Sequence, residues 1–370
     1  MSAPHAPAEL TLHGSRILIG AALQDSGADT IRAAATARRI AVITDSNVAP
    51  LHARPLADRL GVTPDDLFDV PAGESSKSRG EWSRLSDAML ARGFGRDTLV
   101  VAVGGGVVGD LGGFVAATYM RGVPVVQVPT SLLAMIDASI GGKTGVDTHA
   151  GKNLVGAFHH PVLVLADPLT LKTLDIAELR NGLAEALKHA LITSATEYDW
   201  FIANAPGLLR DTGPDVAVVR ALVERNVKIK AGIVARDGQE SGVRKTLNVG
   251  HTIGHALETA SRYAMLHGEC VGIGMRVEAM ISVALGLADE TLVAQIIDGL
   301  RAVGLPTRPS AAVRADQVVS ATRLDKKSRG GSVEYALLRA PGVLAEADGG
   351  FGTRVADAVV LSALTRAFAG

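Results

Sequence analysis

Five short runs in the first half of the chain are apolar at nearly every position: RILIG at 16–20, RIAVITD at 39–45, TLVVAVGGG at 98–106, VPVVQVP at 123–129 and PVLVLAD at 161–167. A strand with one wet face alternates polar and apolar residues. A run without that alternation predicts a strand covered on both faces, as in the parallel sheets of α/β proteins. The intervals between the runs are long enough for the crossover helices that parallel pairing requires. From about 176 to 304 the texture changes: IAELRNGLAEALKHALI, DVAVVRALVERNVKIKAGIVARD and HTIGHALETASRYAM repeat apolar residues at spacings of three and four, the pattern of amphipathic helices. The expected architecture is an α/β N-terminal nucleotide-binding domain with a parallel sheet over 1–173 and a mainly α-helical C-terminal domain over 174–370. The tail VEYALLRAPGVLAEA predicts a hairpin, followed by a closing helix from about 353.

The length of 370 residues suits two domains at about 150 residues each. With 37 Lys+Arg against 38 Asp+Glu, the chain lacks the basic excess that would attract nucleic acid or a membrane surface, so neither is expected as a partner. A single cysteine, Cys270, excludes an intrachain disulfide, and its place in LHGEC reads as core packing. The opening MSAPHAPAELTLHGSR has neither the basic start nor the apolar stretch of a signal peptide. No run approaches the roughly 18 apolar residues that span a bilayer, and a cytoplasmic location is expected.

In LVVAVGGGVVGDLGG the triple glycine Gly104, Gly105, Gly106 lies between a buried strand and a helix. Glycine there lets backbone N–H groups approach a pyrophosphate, whose charge the helix N-terminus favours. The spacing is not GxGxxG, so this turn alone is a moderate signal for a nucleotide. Asp45 and Asn47 in TDSNV end another strand, where open α/β sheets place their ligands. Either residue could equally form a turn.

The helical half carries a denser set. His251 and His255 are four apart in NVGHTIGHALE and share one helix face, and His267 follows in MLHGEC, where Gly268 marks an expected break between helices. Glu185 and Lys188 share a face of GLAEALKHALI. Two imidazoles and a carboxylate with open positions suit catalytic Zn²⁺, although spacing alone does not say which two histidines ligate. Basic residues recur beside glycine, asparagine and alcohol side chains: Arg121 in YMRG, Lys143 in GGKTG, Lys152 with Asn153 in GKN, Lys230 in KIKAG, and Arg244 with Asn248 in GVRKTLNVGH. Lys143 and Lys152 fall in SIGGKTGVDTHAGKNLVG, read here as a Gly-rich loop uncharged except for Asp147 and suited to a carboxylate or phosphate. GGKTG lacks the GxxxxGK[ST] spacing of a P-loop.

The strings GGGVVGDLGGFVAATYMRG, VPTSLLAMIDASIGGKTGVD, AGKNLVGAF, GLAEALKHALI, ESGVRKTLNVGHTIGHALE, LHGE and LDKKSRGG run collinearly over roughly 45–330. In them the chain closely resembles the 3-dehydroquinate synthase family of sugar-phosphate cyclases. The resemblance implies an enzyme that turns 3-deoxy-D-arabino-heptulosonate 7-phosphate into 3-dehydroquinate, by transient NAD-dependent oxidation, phosphate elimination, reduction and aldol closure. It implies Glu185, His251 and His267 as ligands of Zn²⁺ or Co²⁺, with His255 on the substrate side. It places NAD against Asp45, Asn47, Glu74, Lys77, Gly104 to Gly106, Asp110, Thr130 and Ser131, with Lys143, Lys152, Thr173 and Glu178 completing that set. The same resemblance surrounds the substrate with Asp137, Lys143, Asn153, Lys188, Lys230, Arg244, Asn248 and Lys326, and brings Arg121 to the phosphate from the partner subunit of a homodimer. Departures are small: Val249 in LNVGH, the apolar positions of GLAEALKH, and FHHP at 158–161.

Three other readings compete. A sister cyclase would act on an amino-substituted or seven-carbon sugar phosphate. A metal-dependent polyol dehydrogenase shares the fold plan but has no need of cations around a phosphate. A nucleotide-binding module without activity leaves the Lys143–Lys152 stretch unexplained.

Overall fold

All five apolar runs form strands. The computed structural model describes residues 6–149, 151–210, 213–238, 242–329, 333–346 and 350–369, with the side chains at 24–25 and 324–329 outside the description. The strands of the first half are Ala8–Leu12 (β1), Ser15–Ile19 (β2), Arg39–Asp45 (β3), Leu67–Val70 (β4), Thr98–Gly104 (β5), Val125–Pro129 (β6), Lys143–Thr148 (β7), Gly151–Phe158 (β8) and Leu163–Ala166 (β9). Seven of them make one sheet in the order β1-β2-β9-β6-β5-β3-β4, parallel throughout except for the edge pair β1–β2.

Successive residues of the central strands serve opposite faces. Ile43, Val100 and Ala102 join Leu111 and Val115 in one buried cluster, whereas Val42, Val101, Val103 and Val126 join Ile31 and Leu56 in the other. At about 1.5–3 kcal/mol for each large apolar side chain removed from water, this double coverage is why the runs carry no polar alternation. Strand order reverses at β3: the chain goes from β3 out to β4, then returns to the other side of β3 as β5. The carboxyl ends of β3 and β5 therefore flank the switch point where such sheets bind ligands.

The stretch 143–158 is a correction to the sequence reading. It is an antiparallel hairpin of β7 and β8 rather than a loop, with Gly145 opposite Gly156. A Cβ on Gly156 would stand 2.1 Å from the Thr144 carbonyl oxygen and 3.0 Å from the Gly145 Cα. Glycine here permits a close approach of two backbones, and the same composition imitates a loop. The hairpin is tied to the segment before the helix at 79–91, with Asp147 N–H donating to the Lys77 carbonyl at 2.8 Å and Lys152 Nζ lying 3.4 Å from Glu74.

The chain packs as two compact units, Met1–Leu179 with Val219–Ala231, and Arg180–Val218 with Gly232–Gly370. The helices that carry candidate residues are Gly106–Thr118 (α1), Ile176–Thr193 (α2), Val216–Arg236 (α3), His251–Ala260 (α4), His267–Ala284 (α5) and Asp357–Ala369 (α6). In the second unit α5 is buried on all sides from Cys270 to Ser282. Its Arg276 donates to the carbonyls of Thr307 and Ala367, which fastens the end of α6. The expected tail hairpin is present as Leu338–Ala340 against Val343–Leu344, with Gly342 N–H donating to the Leu191 carbonyl at 2.7 Å. The closing helix starts at Asp357 and not near 353, because Thr353–Arg354 pairs as a strand with Glu334–Tyr335. No helix among the described residues is long and apolar enough to cross a membrane.

Substituting Gly156→Ala should lower the urea midpoint by the equivalent of about 1–3 kcal/mol, the cost of forcing an extra methyl into a packed contact. An unchanged midpoint would mean that β7 and β8 do not meet at this pair.

Candidate active-site residues

Three helices of the second unit converge on Glu185, which stands in α2 with no solvent exposure. His251 Nε2, at the first position of α4, lies 3.5 Å from Glu185 Oε1, and His267 Nε2, at the first position of α5, lies 3.6 Å from the same atom. His267 therefore opens a helix, and the break expected at Gly268 falls before it, at 261–266. Two ligands held at about 2.0–2.1 Å by a tetrahedral ion are themselves about 3.3 Å apart, so these separations fit a common cation. The ligand atoms of the three residues all lie within 4.8 Å of one another. Glu185 Oε2 is ion-paired with the Lys188 ammonium one turn on, and Oε1 is the oxygen that faces both imidazoles. A buried carboxylate is costly unless cationic or donor groups surround it, and a carboxylate with two imidazoles is a ligand set that fits a divalent ion.

The charges agree with that demand. Burial alone would raise the pKa of Glu185, but Lys188, His251 and His267 together hold it well below the usual carboxylate range. His251 is pushed down to about 3, by burial first and by Lys188 second. For His267 burial works the same way but is outweighed by hydrogen bonds to Glu185 and Glu258, which lift it to about 10. The cluster thus favours a positive charge beside Glu185. The ring of His255 lies 5.3 Å from that of His251 and 6.0 Å from that of His267. With Glu258 and His267 it makes up a second possible ligand set.

Backbone contact brings α4 and α5 this close. A Cβ on Gly274 would stand 2.0 Å from the Gly250 carbonyl oxygen, so the helices cross with no side chain between them. Three buried side chains absent from the sequence reading set the ends of these helices. Glu278 of α5 accepts from Gly250 N–H at 2.6 Å and holds the start of α4. Asn181 of α2 accepts from Gly268 N–H at 2.6 Å and holds the start of α5. Glu258 of α4 lies 3.4 Å from His267 Nδ1. Only Glu258 is within reach of pattern reasoning, being seven residues from His251 on the same helix face. Arg244 is buried, with Nη1 donating to the Gly238 carbonyl at 2.7 Å and its own N–H donating to Asp237 at 3.0 Å. Asn248 ends the short helical turn Val243–Asn248 just before α4. Lys326 lies on the helix Ala315–Arg329, with its side chain outside the described residues.

In the first unit the switch point gathers much of the expected nucleotide set. Gly104 ends β5, Gly105 caps α1 and Gly106 opens it. Thr130 N–H donates to the Gly104 carbonyl at 2.9 Å, and Ser131 Oγ lies 3.5 Å from where a Gly105 Cβ would be. The backbone of this turn is thus open to a phosphate at the N-terminus of a 13-residue helix. Lys77 and Asp110 form a buried ion pair beside it; burial works against the Lys77 charge, but Asp110 and then Glu74 outweigh it and raise its pKa. Asp45 takes the turn-forming role, accepting from the N–H groups of Asn47 at 2.9 Å and Val48 at 3.0 Å. Thr173 contacts His52 Nε2 at 2.8 Å, and Glu178 lies in the first turn of α2. Lys230 of α3 donates to Asp137 twice, at 2.5 Å to the carbonyl and 2.6 Å to the carboxylate. Lys143 opens β7 and Asn153 lies exposed on β8 with φ 56°. Arg121 is not brought to this set. It follows the far end of α1, about 20 Å from the glycine turn by helix length, on a turn where Met120 (φ 50°), Arg121 (φ 69°) and Gly122 (φ 116°) are all left-handed.

A parallel nucleotide-type sheet and a helical unit in which two half-buried histidines face a buried glutamate are the marks of a metal- and nucleotide-using enzyme. The 3-dehydroquinate synthase N-terminal family matches residues 67–181 and the 3-dehydroquinate synthase C-terminal family matches 182–328. A 3-dehydroquinate synthase of Symbiobacterium thermophilum is 44% identical over 331 residues, covering 88% of this chain and 91% of its own. The chain belongs to the 3-dehydroquinate synthase family. Among solved structures, 2-epi-5-epi-valiolone synthase from Streptomyces hygroscopicus subsp. jinggangensis, with NAD⁺ and Zn²⁺ bound, is 30% identical with a TM-score of 0.85, covering 97% of this chain and 98% of that one. A 2-deoxy-scyllo-inosose synthase complexed with carbaglucose-6-phosphate, NAD⁺ and Co²⁺ has the same fold, with a TM-score of 0.88 at 23% identity and coverage of 98% and 99%.

Gly274→Ala should lower stability by about 1–3 kcal/mol and weaken uptake of a divalent metal in the same protein, because α4 and α5 must separate. Gly232→Ala on α3, with nothing within 4 Å of the new Cβ, should do neither. Denaturant midpoints and a chelator competition read the two effects side by side.

Proposed function

We propose that the chain is the enzyme that converts 3-deoxy-D-arabino-heptulosonate 7-phosphate into 3-dehydroquinate and phosphate, using NAD and Zn²⁺ or Co²⁺. The observation that carries this reading is the convergence of His251 and His267 on the buried Glu185, in a chain of this family. When bound, NAD supplies reversible hydride transfer and the metal ion supplies Lewis-acid polarisation of the hydroxyl to be oxidised. Glu185, His251 and His267 would hold the ion. Gly104 to Gly106, Thr130 and Ser131 would receive the pyrophosphate of NAD, with Asp45, Asn47, Glu74, Lys77, Asp110, Lys143, Lys152, Thr173 and Glu178 around the remainder.

The chain's own task is to hold a substrate with a carboxylate and a phosphate. Lys188, Lys230 and Arg244 are each held in place by a partner, Glu185, Asp137 and Gly238 respectively, so their donors are oriented before a ligand arrives. Asn248, Asn153, Lys143 and Lys326 would add hydrogen bonds to hydroxyl and phosphate oxygens. His255 would take or give the proton that phosphate elimination requires, a role supported by its ring adjoining both proposed ligand imidazoles. We assign Arg121 to the phosphate site of a partner subunit, in a cytoplasmic homodimer. Its strained turn, remote from the switch point, supports that reading.

Metal-loaded protein given the heptulosonate phosphate and catalytic NAD⁺ should release phosphate and dehydroquinate together without net NADH. Chelation should abolish both products, and Zn²⁺ or Co²⁺ should restore them. NADH accumulating on a simple polyol, with no phosphate released, would replace the reading with a dehydrogenase. Turnover only of a sedoheptulose or amino-sugar phosphate would replace it with a sister cyclase. Lys188→Met should lower kcat/KM by roughly 100-fold or more, the usual loss for a buried electrostatic donor, and a steady-state assay on refolding-competent protein checks it.

A further inference from the structure

Glu258 is 2% exposed and has no role in the reading above. A carboxylate kept in the interior costs several kcal/mol unless it is paired, so its partner is informative. That partner is the far side of a proposed ligand. His267 turns Nε2 toward Glu185 Oε1 and Nδ1 toward Glu258 Oε1, at 3.6 Å and 3.4 Å. The two nitrogens face opposite carboxylates, so an ion on Nε2 leaves Nδ1–H for Glu258. His251 is arranged in the same sense, with Nε2 toward Glu185 and Nδ1 against the Val249 carbonyl at 3.2 Å.

The backbone around His267 is already fixed. Leu266 N–H donates to Glu269 at 3.1 Å, and Gly268 N–H donates to Asn181 at 2.6 Å. What remains free is the rotation of the imidazole and the choice of tautomer, and Glu258 is the group that meets the ring edge controlling both. A carboxylate on the outer nitrogen also makes the inner one a stronger donor than a neutral carbonyl does.

We propose that Glu258 is a positioning residue: it accepts from His267 Nδ1–H, fixes the Nε2 tautomer and strengthens His267 as the more firmly held of the two imidazole ligands. The inference rests on the Glu185–His251–His267 reading of the metal site. It excludes the alternative in which Glu258 joins His255 and His267 as a ligand set of its own.

The test compares wild type, E258Q and E258A, freed of metal by chelation, in a competition for Zn²⁺ against a chromophoric chelator. Thermal midpoints of the metal-free proteins and NAD⁺ affinity are followed in parallel. E258Q keeps the shape and an acceptor but loses the charge, whereas E258A loses both. Zinc affinity should fall by about 10–100-fold in E258A, the usual effect of removing a ligand's outer partner, and by less in E258Q. NAD⁺ affinity should hold. The visible band of the Co²⁺-loaded variants should shift from that of wild type, a change in ligand geometry that lost packing alone would not produce. Wild-type zinc affinity and an unshifted band in both variants would overturn the role of Glu258 and leave the metal site standing. A second equivalent of zinc in wild type that E258A abolishes would overturn it in favour of direct ligation. Wild-type protein that takes up no zinc would overturn both readings.

Discussion

The arrangement of the second unit depends on keeping Glu185 away from water. A carboxylate in the middle of α2 has no helix end to satisfy it, and it is fully buried. Its surroundings answer with positive or ionisable nitrogen: Lys188 from its own helix, His251 from α4 and His267 from α5. Bringing two helix starts to one buried oxygen in turn requires α4 and α5 to cross at backbone distance, which glycine at 250 and 274 allows. The helix starts then need acceptors of their own, because their first N–H groups have no intrahelical partner. Glu278 and Asn181 supply them from neighbouring helices, where no local Ser, Thr or Asp cap stands. One buried charge thus organises both the packing and the polar network around it.

How much of this is legible in the sequence depends on whether a feature has a period. The five apolar runs predict strands at nearly the observed places because burial on both faces leaves a continuous pattern. The strands Ala8–Leu12 and Leu67–Val70 leave no such run, being short and at the edges of the sheet, where polar residues are tolerated. The hairpin at 143–158 has the composition of a loop because its glycines serve contact between strands. At the site, the proposed ligands are visible through family strings, and His251 and His255 through helical spacing. Glu278 and Asn181 have no such trace. They act across 28 and 87 residues of sequence, on backbone amides that nearly any residue type presents.

The nucleotide side shows the opposite balance. The contacts proposed for the pyrophosphate are mainly backbone groups at the glycine turn that ends β5, so there position in the sheet matters more than residue type. Asp45 illustrates the ambiguity: the carboxylate expected near the nucleotide is engaged in forming its own turn. The switch point between β3 and β5 still marks this edge of the sheet, because it follows from strand order and not from any single side chain.

Fold alone would leave a dehydrogenase and a cyclase equally acceptable, since both need a hydride acceptor and a Lewis acid. The proposed reading draws its distinction from cations that the protein keeps out of water. Lys188, Arg244 and Lys230 are 1%, 2% and 6% exposed. Burying an ammonium or guanidinium costs several kcal/mol even after a partner is found, and an oxidation of a neutral alcohol gains nothing from three of them. In the proposed reaction, which begins with a carboxylate and a phosphate on one small molecule and ends by expelling the phosphate, cations held in fixed places would have a use. Each cation has an internal partner that offsets part of that cost, Glu185, the Gly238 carbonyl and Asp137 in turn, and the proposed phosphate-eliminating reaction is the reading that would also use their charge.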